Sequence, residues 1–176
     1  TVTKRAVYTD RFDDTPEHVR DVVVPIVEEC RLISPTLAVT PGTRCMWLYR
    51  QPADVGCWFS PSGTGLGPWG FRCMQPILYY GSDPYIASGA LPNSVGQKWP
   101  NDANDYGHPC AKQIRFWSWL LARISKEGQM VLDPFVGSGT TLQAAKDTNR
   151  RAIGIEIEPK YCEIAVKRLR QEVLPL

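Results

Sequence analysis

The stretch from Met130 to Thr141, Met-Val-Leu-Asp-Pro-Phe-Val-Gly-Ser-Gly-Thr-Thr, constrains the fold more than any other part of the chain. Val131 and Leu132 form a short apolar run that ends in an acid, Asp133. A turn with two glycines, Gly137 and Gly139, follows, and Thr140 and Thr141 open a helical stretch from Leu142 to Thr148. Strand, tight Gly-rich turn and helix start, in that order, bring backbone N–H groups and a helix N-terminus up against a ligand. Glycine supplies unusual backbone angles at no steric cost and removes the Cβ that would hold a ligand off the main chain.

Three nucleotide-type ligands compete for such a turn. A phosphate-cradling P-loop needs a lysine at the helix start, and none stands there. A dinucleotide fingerprint, Gly-x-Gly-x-x-Gly/Ala, fits Gly137 and Gly139 but meets Leu142 at its third site. S-adenosylmethionine asks for an acid at the strand tip, a turn of small residues, and a second acid at the end of the next strand. That second acid is present, because Ala152 to Ile157 is an apolar run interrupted only by Glu156. It lies about twenty residues beyond the glycines, where a carboxylate can accept two ribose hydroxyls.

The segments Asp-Pro-Phe-Val-Gly-Ser-Gly-Thr-Thr (133–141) and Ile-Gly-Ile-Glu-Ile (153–157) resemble the N6-adenine/N4-cytosine DNA methyltransferases. More narrowly, they resemble the permuted subgroup whose cofactor half lies at the C-terminus. His108-Pro109-Cys110-Ala111-Lys112 is similar to the His-Pro-x-x-Lys-Pro segment that precedes the turn in that subgroup, with Gln113 in place of the last proline. The resemblance is specific over about residues 108–170 and weaker over 15–85. It implies a Rossmann-like S-adenosylmethionine-dependent methyltransferase fold, α/β with a doubly wound, mostly parallel sheet. It implies cofactor contacts by His108, Lys112, Asp133, Phe135, Gly137, Ser138, Gly139, Thr140, Thr141 and Glu156. It also implies double-stranded DNA as partner, a prokaryotic or phage-like cytoplasmic setting and a link to restriction–modification, and it leaves a homodimer open.

Methylation of a base amino group is a direct displacement by a nitrogen whose lone pair is delocalised into the ring. The family localises that lone pair with a tetrapeptide, Asp/Asn/Ser-Pro-Pro-aromatic, whose aromatic stacks on a base flipped out of the duplex. The nearest string here is Ser82-Asp83-Pro84-Tyr85, with Asp83 where proline belongs and a place too close to His108. A loop turn is the competing reading of these four residues. The expectation is that the true tetrapeptide lies upstream of Thr1, so that the helix at 15–33 follows the catalytic strand and the chain is N-terminally truncated. A truncated or degenerate relative that binds cofactor or DNA without catalysis is the alternative, and a methyltransferase of RNA, protein or a small molecule is a second.

At 176 residues, the chain reads as one domain, with 108–176 as its cofactor-binding half. Its 43% apolar and 22% charged content is that of a soluble globular protein. A net charge of +2 does not advertise nucleic-acid binding by itself. No apolar run approaches a membrane span. The six cysteines form no Cys-x-x-Cys pair and the only histidines are His18 and His108, which argues against zinc and for reduced, mostly buried thiols.

Along the chain, Thr15-Pro16-Glu17 reads as a helix start, with apolar residues from Val19 to Cys30 at helical spacing and Pro25 set to kink or reset the helix. Leu37–Val39, Cys45–Tyr49 and Phe71–Tyr80 read as strands. Residues 51–70 are rich in Gly, Pro, Ser and Trp with almost no charge, and 81–107 read as a long surface loop. The tryptophans and arginines of this region (Arg44, Trp47, Arg50, Trp58, Trp69, Arg72) are either core or DNA-facing. A helix from Lys112 then presents Ile114, Phe116, Trp117, Leu120, Leu121 and Ile124. The last helix, opened by Pro159, is expected to turn Tyr161, Ile164, Ala165 and Leu169 inward and Lys160, Lys167, Arg168 and Arg170 outward.

Overall fold

A computed structural model describes residues 15–60, 65–96 and 113–170. The first helix starts as its sequence dictates. The Thr15 hydroxyl accepts the His18 N–H at 3.2 Å, Pro16 opens the one-turn α1 (Pro16–His18), and a π-helical stretch, Val19–Val23, leads into α2 (Val24–Ile33). Pro25 has no N–H to return to the preceding turn, and the wider π turn absorbs that loss, so the helix is reset rather than broken.

β1 (Thr36–Val39) follows, then the helical turn α3 (Gly42–Cys45) running into a 3-10 turn, Met46–Leu48. The strand expected over Cys45–Tyr49 is therefore corrected to helical turns. A run of five residues cannot distinguish strand from helix by periodicity. Here Gly42, at φ +70°, sets the chain coiling and Cys45 is the residue it buries.

β2 (Asp54–Phe59) lies inside the Gly-, Pro-, Ser- and Trp-rich stretch 51–70. Its strand character was hidden by Asp54 and Gly56, the latter required because a Cβ there would stand 1.9 Å from the Asn93 carbonyl oxygen. β3 (Gly65–Gly67) and β4 (Gly70–Arg72) form a hairpin, and β5 (Met74–Gly81) begins after a break at Cys73. Of the expected loop 81–107, the described part holds a 3-10 turn, Ile86–Ser88, and the short β6 (Val95–Gly96). Next come α4 (Ile114–Ile124), β7 (Met130–Asp133), α5 (Thr140–Asp147), β8 (Arg151–Gly154) and α6 (Pro159–Arg170).

The fold is α/β with a mixed sheet. Four strands lie in the order β1-β5-β2-β6, with β5 antiparallel to β1 and β2, and β6 parallel to β2. The mostly parallel sheet expected from strand–helix alternation is found in the β7–β8 pair. The larger sheet departs from it because no crossover helix separates β2 from β5, and strands joined without one pair antiparallel.

Two apolar clusters meet on α4. Leu121 packs with Val131, Ala144 and Ala145, while Phe116 and Leu120 pack with Ile77, and Trp117 and Ile124 touch both groups. Trp58 stacks on Phe116 with ring centroids 5.0 Å apart, so it is a core residue, whereas Trp47 and Trp69 are exposed. Among the described residues the cysteines are less buried than expected: Cys30 and Cys45 are buried, Cys57 and Cys73 half-buried, and Cys162 exposed, while Cys110 lies outside these residues.

Two phenols report on the core of the larger sheet. Burial pushes Tyr79 and Tyr49 up to about 12, above the ordinary 10.0. A raised folded value means the neutral phenol is favoured by the fold. That stability is complete below the unfolded value and lost as pH rises from about 10 toward 12. The urea midpoint is expected to hold from neutral pH to about pH 9 and to fall between about 10 and 12; a midpoint flat to pH 12 would contradict the burial of these rings.

Candidate functional site

β7 ends at Asp133, and Pro134, which lacks an N–H, stops the ladder there. The Phe135 N–H donates to Asp133 Oδ1 at 3.0 Å, an Asx turn that reverses the chain immediately after the strand. The Val136 N–H reaches the Ile155 carbonyl at 3.0 Å, and the Ile155 N–H reaches the Asp133 carbonyl at 2.9 Å. The turn is thereby tied to the exit of β8.

Glu156 closes the clasp. Its Oε2 accepts the Gly137 N–H at 2.9 Å, and its Oε1 accepts the Glu158 N–H at 2.9 Å. A carboxylate has about four acceptor positions, so two remain for a diol. Glu156 is half-buried, as is Asp133. The two acids therefore flank one turn, at the C-terminal ends of two paired parallel strands, which is where ligands sit in open α/β sheets.

The two turn glycines do different work. Gly137 stands at φ +53° and Gly139 at φ +83°, both left-handed. A Cβ on Gly139 would lie 2.8 Å from Ala165 Cβ, so this glycine is needed for α6 to pack against the turn. Sequence reasoning gave it to the ligand alone.

The hydroxyl residues of the turn are enclosed. Ser138, Thr140 and Thr141 are all buried, and Thr140 Oγ1 accepts from Arg168 Nη1 at 2.8 Å. Thr140 thus turns its hydroxyl to α6. Arg168 itself is corrected from an outward to a buried position, 5% exposed, because its partner lies 28 residues earlier and is invisible to helical periodicity. Phe135, Ile155 and Ile157 remain exposed beside the clasp and offer apolar surface to a ring.

On α2, burial pushes the Cys30 thiol up, and the Asp133 carboxylate adds to that. His108 and Lys112 lie outside the described residues.

The string Ser82–Tyr85 is brought elsewhere. Both Asp83 oxygens pair with Arg123 at 2.7 Å, the Tyr85 N–H donates to Asp83 Oδ1 at 2.9 Å, and the Tyr85 hydroxyl donates to the Ser125 carbonyl at 2.9 Å. The Arg123 hydrogen bonds hold the Asp83 carboxyl below the usual carboxylate range. Arg123 and Ser125 end α4, and the chain then enters β7 at Met130, the strand end remote from Asp133. The string therefore sits at the end of α4 that leads into the start of β7, not at the Gly-rich turn.

No group of three or more His, Cys, Asp or Glu among the described residues could hold a metal ion. No described helix is long and apolar enough to cross a membrane.

Comparison with known proteins places these features in context. The N6/N4 DNA methylase family model matches residues 79–167. The chain is 42% identical over 87 residues to the type II methyltransferase M2.DpnII of Streptococcus pneumoniae, covering 49% of this chain and 30% of the relative. It is 45% identical over 85 residues to the type II methyltransferase M.HindIII of Haemophilus influenzae, covering 48% of this chain and 28% of that one. The chain thus spans less than a third of the length of these relatives. In fold it is similar to the crystal structure of M1.HpyAVI, with a TM-score of 0.64 at 20% identity over 90% of this chain and 84% of that one. The complex of M1.HpyAVI with SAM gives a TM-score of 0.55 at 21% identity, covering 88% and 71%.

Proposed function

The chain belongs to the N6/N4 DNA methylase family, and on that premise we propose that it forms the cofactor-holding part of an enzyme that methylates an exocyclic amino group in duplex DNA, adenine N6 or cytosine N4. The donor on this reading is S-adenosylmethionine, which supplies a sulfonium methyl group open to displacement by the base nitrogen. The observation that carries the proposal is the clasp of Asp133, the Gly-rich turn and Glu156 at the C-terminal ends of β7 and β8.

Each residue has a definite task. The two free acceptor positions of Glu156 take the ribose hydroxyls, while its other two keep the turn in shape. Asp133 presents its second oxygen to the polar end of the ligand, Oδ1 being engaged by Phe135. The exposed Phe135 and Ile157 cover the flat adenine face. Positioning of this kind is worth much of the rate in a one-step transfer, because both reactants must be held in line. The same reading places the protein in the cytoplasm, with a restriction enzyme as the natural counterpart.

A second reading, cofactor or DNA binding without transfer, draws on one observation. The string nearest to the catalytic tetrapeptide, Ser82–Tyr85, is engaged in pinning the far end of α4. Calorimetric titration of the 176-residue chain with S-adenosylhomocysteine tests the cofactor assignment. One-to-one binding lost in Asp133→Ala supports it, and absence of binding in the unaltered chain overturns it. Glu156→Ala is expected to weaken that binding by about 1–3 kcal/mol, the cost of leaving polar groups unpaired; unchanged affinity would remove the ribose role. Transfer of labelled methyl groups to mixed-sequence DNA, but not to RNA, separates the enzyme from the binder.

A further inference from the structure

Between β2 and β5 the chain makes a separate two-stranded unit. β3 and β4 pair Gly65 with Arg72, Leu66 with Phe71 and Gly67 with Gly70, so Pro68 and Trp69 form a two-residue tip. Among the described residues this hairpin pairs with neither of the other sheets. A hairpin of this size is too small to bury its own side chains. Leu66 and Phe71 stand opposite each other on one face, 64% and 78% exposed, and Trp69 at the tip is fully exposed. The other face carries glycine. A Cβ on Gly67 would meet Arg72 Nε at 3.0 Å, so the Arg72 side chain lies along that face. Single exposed apolar residues are ordinary, but three large ones on one short hairpin are not.

The hairpin leaves its sheet at the end of the fold that carries the Gly-rich turn. Trp58, late in β2, stacks on Phe116, early in α4. Asp83 lies just past the end of β5 that pairs with the start of β2, and it binds Arg123, late in α4. α4 therefore runs antiparallel to β2. Its last turn leads into the start of β7, which packs back on the helix through Val131 and Leu121. β2 and β7 thus point the same way. The hairpin comes after β2 as the Gly-rich turn comes after β7.

The chemistry of this surface narrows its partner. No acidic residue stands between Asp54 and Asp83, and the hairpin carries the cation Arg72. A surface without acids, with a guanidinium beside apolar rings, suits a polyanion that also offers flat apolar faces. The tip is a stiff mount. Pro68 fixes its own φ and Gly70 closes the turn at φ +105°, so little freedom is lost on binding. An indole is close to a nucleobase in size. Taking a base out of a duplex leaves a gap of that size and costs the stacking it had. Apolar side chains inserted between base steps offset such a loss.

We propose that Trp69 is a wedge for duplex DNA. Its ring enters the base stack beside the target nucleotide and fills the space that the extruded base leaves. Leu66 and Phe71 cover the sugar edges on one side of the gap, and Arg72 adds positive charge beside the phosphates. Trp69 is a positioning residue, because it touches the duplex and not the reacting atoms. The inference rests on the methyl-transfer reading for its partner, and it adds which part of this chain holds the duplex open.

Fluorescence anisotropy tests this by comparing the 176-residue chain on an intact mixed-sequence duplex and on the same duplex with one abasic site. The abasic site presents a ready-made gap whatever the recognition sequence is. The unaltered chain is expected to bind the abasic duplex about 10-fold tighter than the intact one. Trp69→Ala should lose that preference while keeping its urea midpoint and its S-adenosylhomocysteine affinity, and Trp69→Phe should keep part of it. Iodouracil placed next to the gap should photocrosslink at Trp69. Equal binding of the two duplexes by the unaltered chain overturns the wedge, as does a Trp69→Ala chain that keeps the preference. A dimer of the unaltered chain that Trp69→Ala dissociates also overturns it, since the hairpin would then face a second copy. S-adenosylhomocysteine binding without the abasic preference removes the wedge and leaves the methyl-transfer reading standing. The abasic preference without S-adenosylhomocysteine binding does the reverse.

Discussion

Gly139→Val is expected to be the most damaging single substitution around the Gly-rich turn, costing about 2–5 kcal/mol. Two effects add. A non-glycine residue at the left-handed φ of +83° costs about 1–2 kcal/mol. Forcing a side chain into a packed contact costs about 1–3 kcal/mol more, and here the first added atom already lies 2.8 Å from Ala165 Cβ. Separating α6 from the turn also breaks the Arg168–Thr140 bond, leaving a buried guanidinium without that acceptor. Urea denaturation checks the sum. Gly128→Val isolates the strain, because Gly128 stands at φ +78° with nothing within 4 Å of an added Cβ, and it should lose only about 1–2 kcal/mol. Equal losses at the two positions would show that the contact with α6 contributes nothing.

Asp83→Ala is expected to cost about 2–4 kcal/mol while leaving S-adenosylhomocysteine affinity unchanged. The Asp83–Arg123 pair is doubly hydrogen-bonded, with side chains only 22% and 10% exposed. Removing one partner of a buried pair typically costs about 3–5 kcal/mol, and the partial exposure of Asp83 lowers that figure. The substitution also releases the Tyr85 N–H from its turn. The sign of the pH dependence follows from the depressed folded value of Asp83, caused first by its hydrogen bonds to Arg123. Stability from the pair is present above the unfolded carboxylate value of 3.8 and is lost as pH falls through the lower folded value. The variant should therefore lose less stability than the unaltered chain as pH falls below 3.8. Loss of methyl transfer with unaltered stability would instead return Asp83 to the catalytic role that the Ser82–Tyr85 string suggested.

The contrast between these two positions shows where sequence reading is strong. The strand–turn–helix from Met130 to Thr148 was legible because its contacts are local. The Asx turn spans two residues, and the acid that clasps Gly137 is only 19 residues away, on the next strand. The helix starts at Thr15 and Pro16, and at Pro159, were equally legible, since capping and proline geometry act within one turn. The reset at Pro25 belongs with them, although its π-helical form does not follow from proline chemistry alone.

Other features depended on partners remote in sequence. β2 escaped notice because Gly56, a poor strand residue on its own, is demanded by the Asn93 carbonyl 37 residues later. Cys45–Tyr49 has the composition of a strand, and its coiled course depends on the turn at Gly42 and the burial of Cys45. Arg168 reads as a solvated cation on a helix face until α6 is laid on the turn, where its guanidinium finds Thr140. Ser82–Tyr85 has the flavour of a catalytic string until Arg123 and Ser125, about 40 residues on, place it at the far end of α4.

The amino-acid sequence alone thus determined the family, the Gly-rich turn and the acids that flank it, because those are set by short-range backbone chemistry. Tertiary structure decided the mixed pairing of the larger sheet and the packing role of Gly139. It also decided the inward course of Arg168. Each of these is a relation between surfaces that meet only after folding, and no residue carries it by itself.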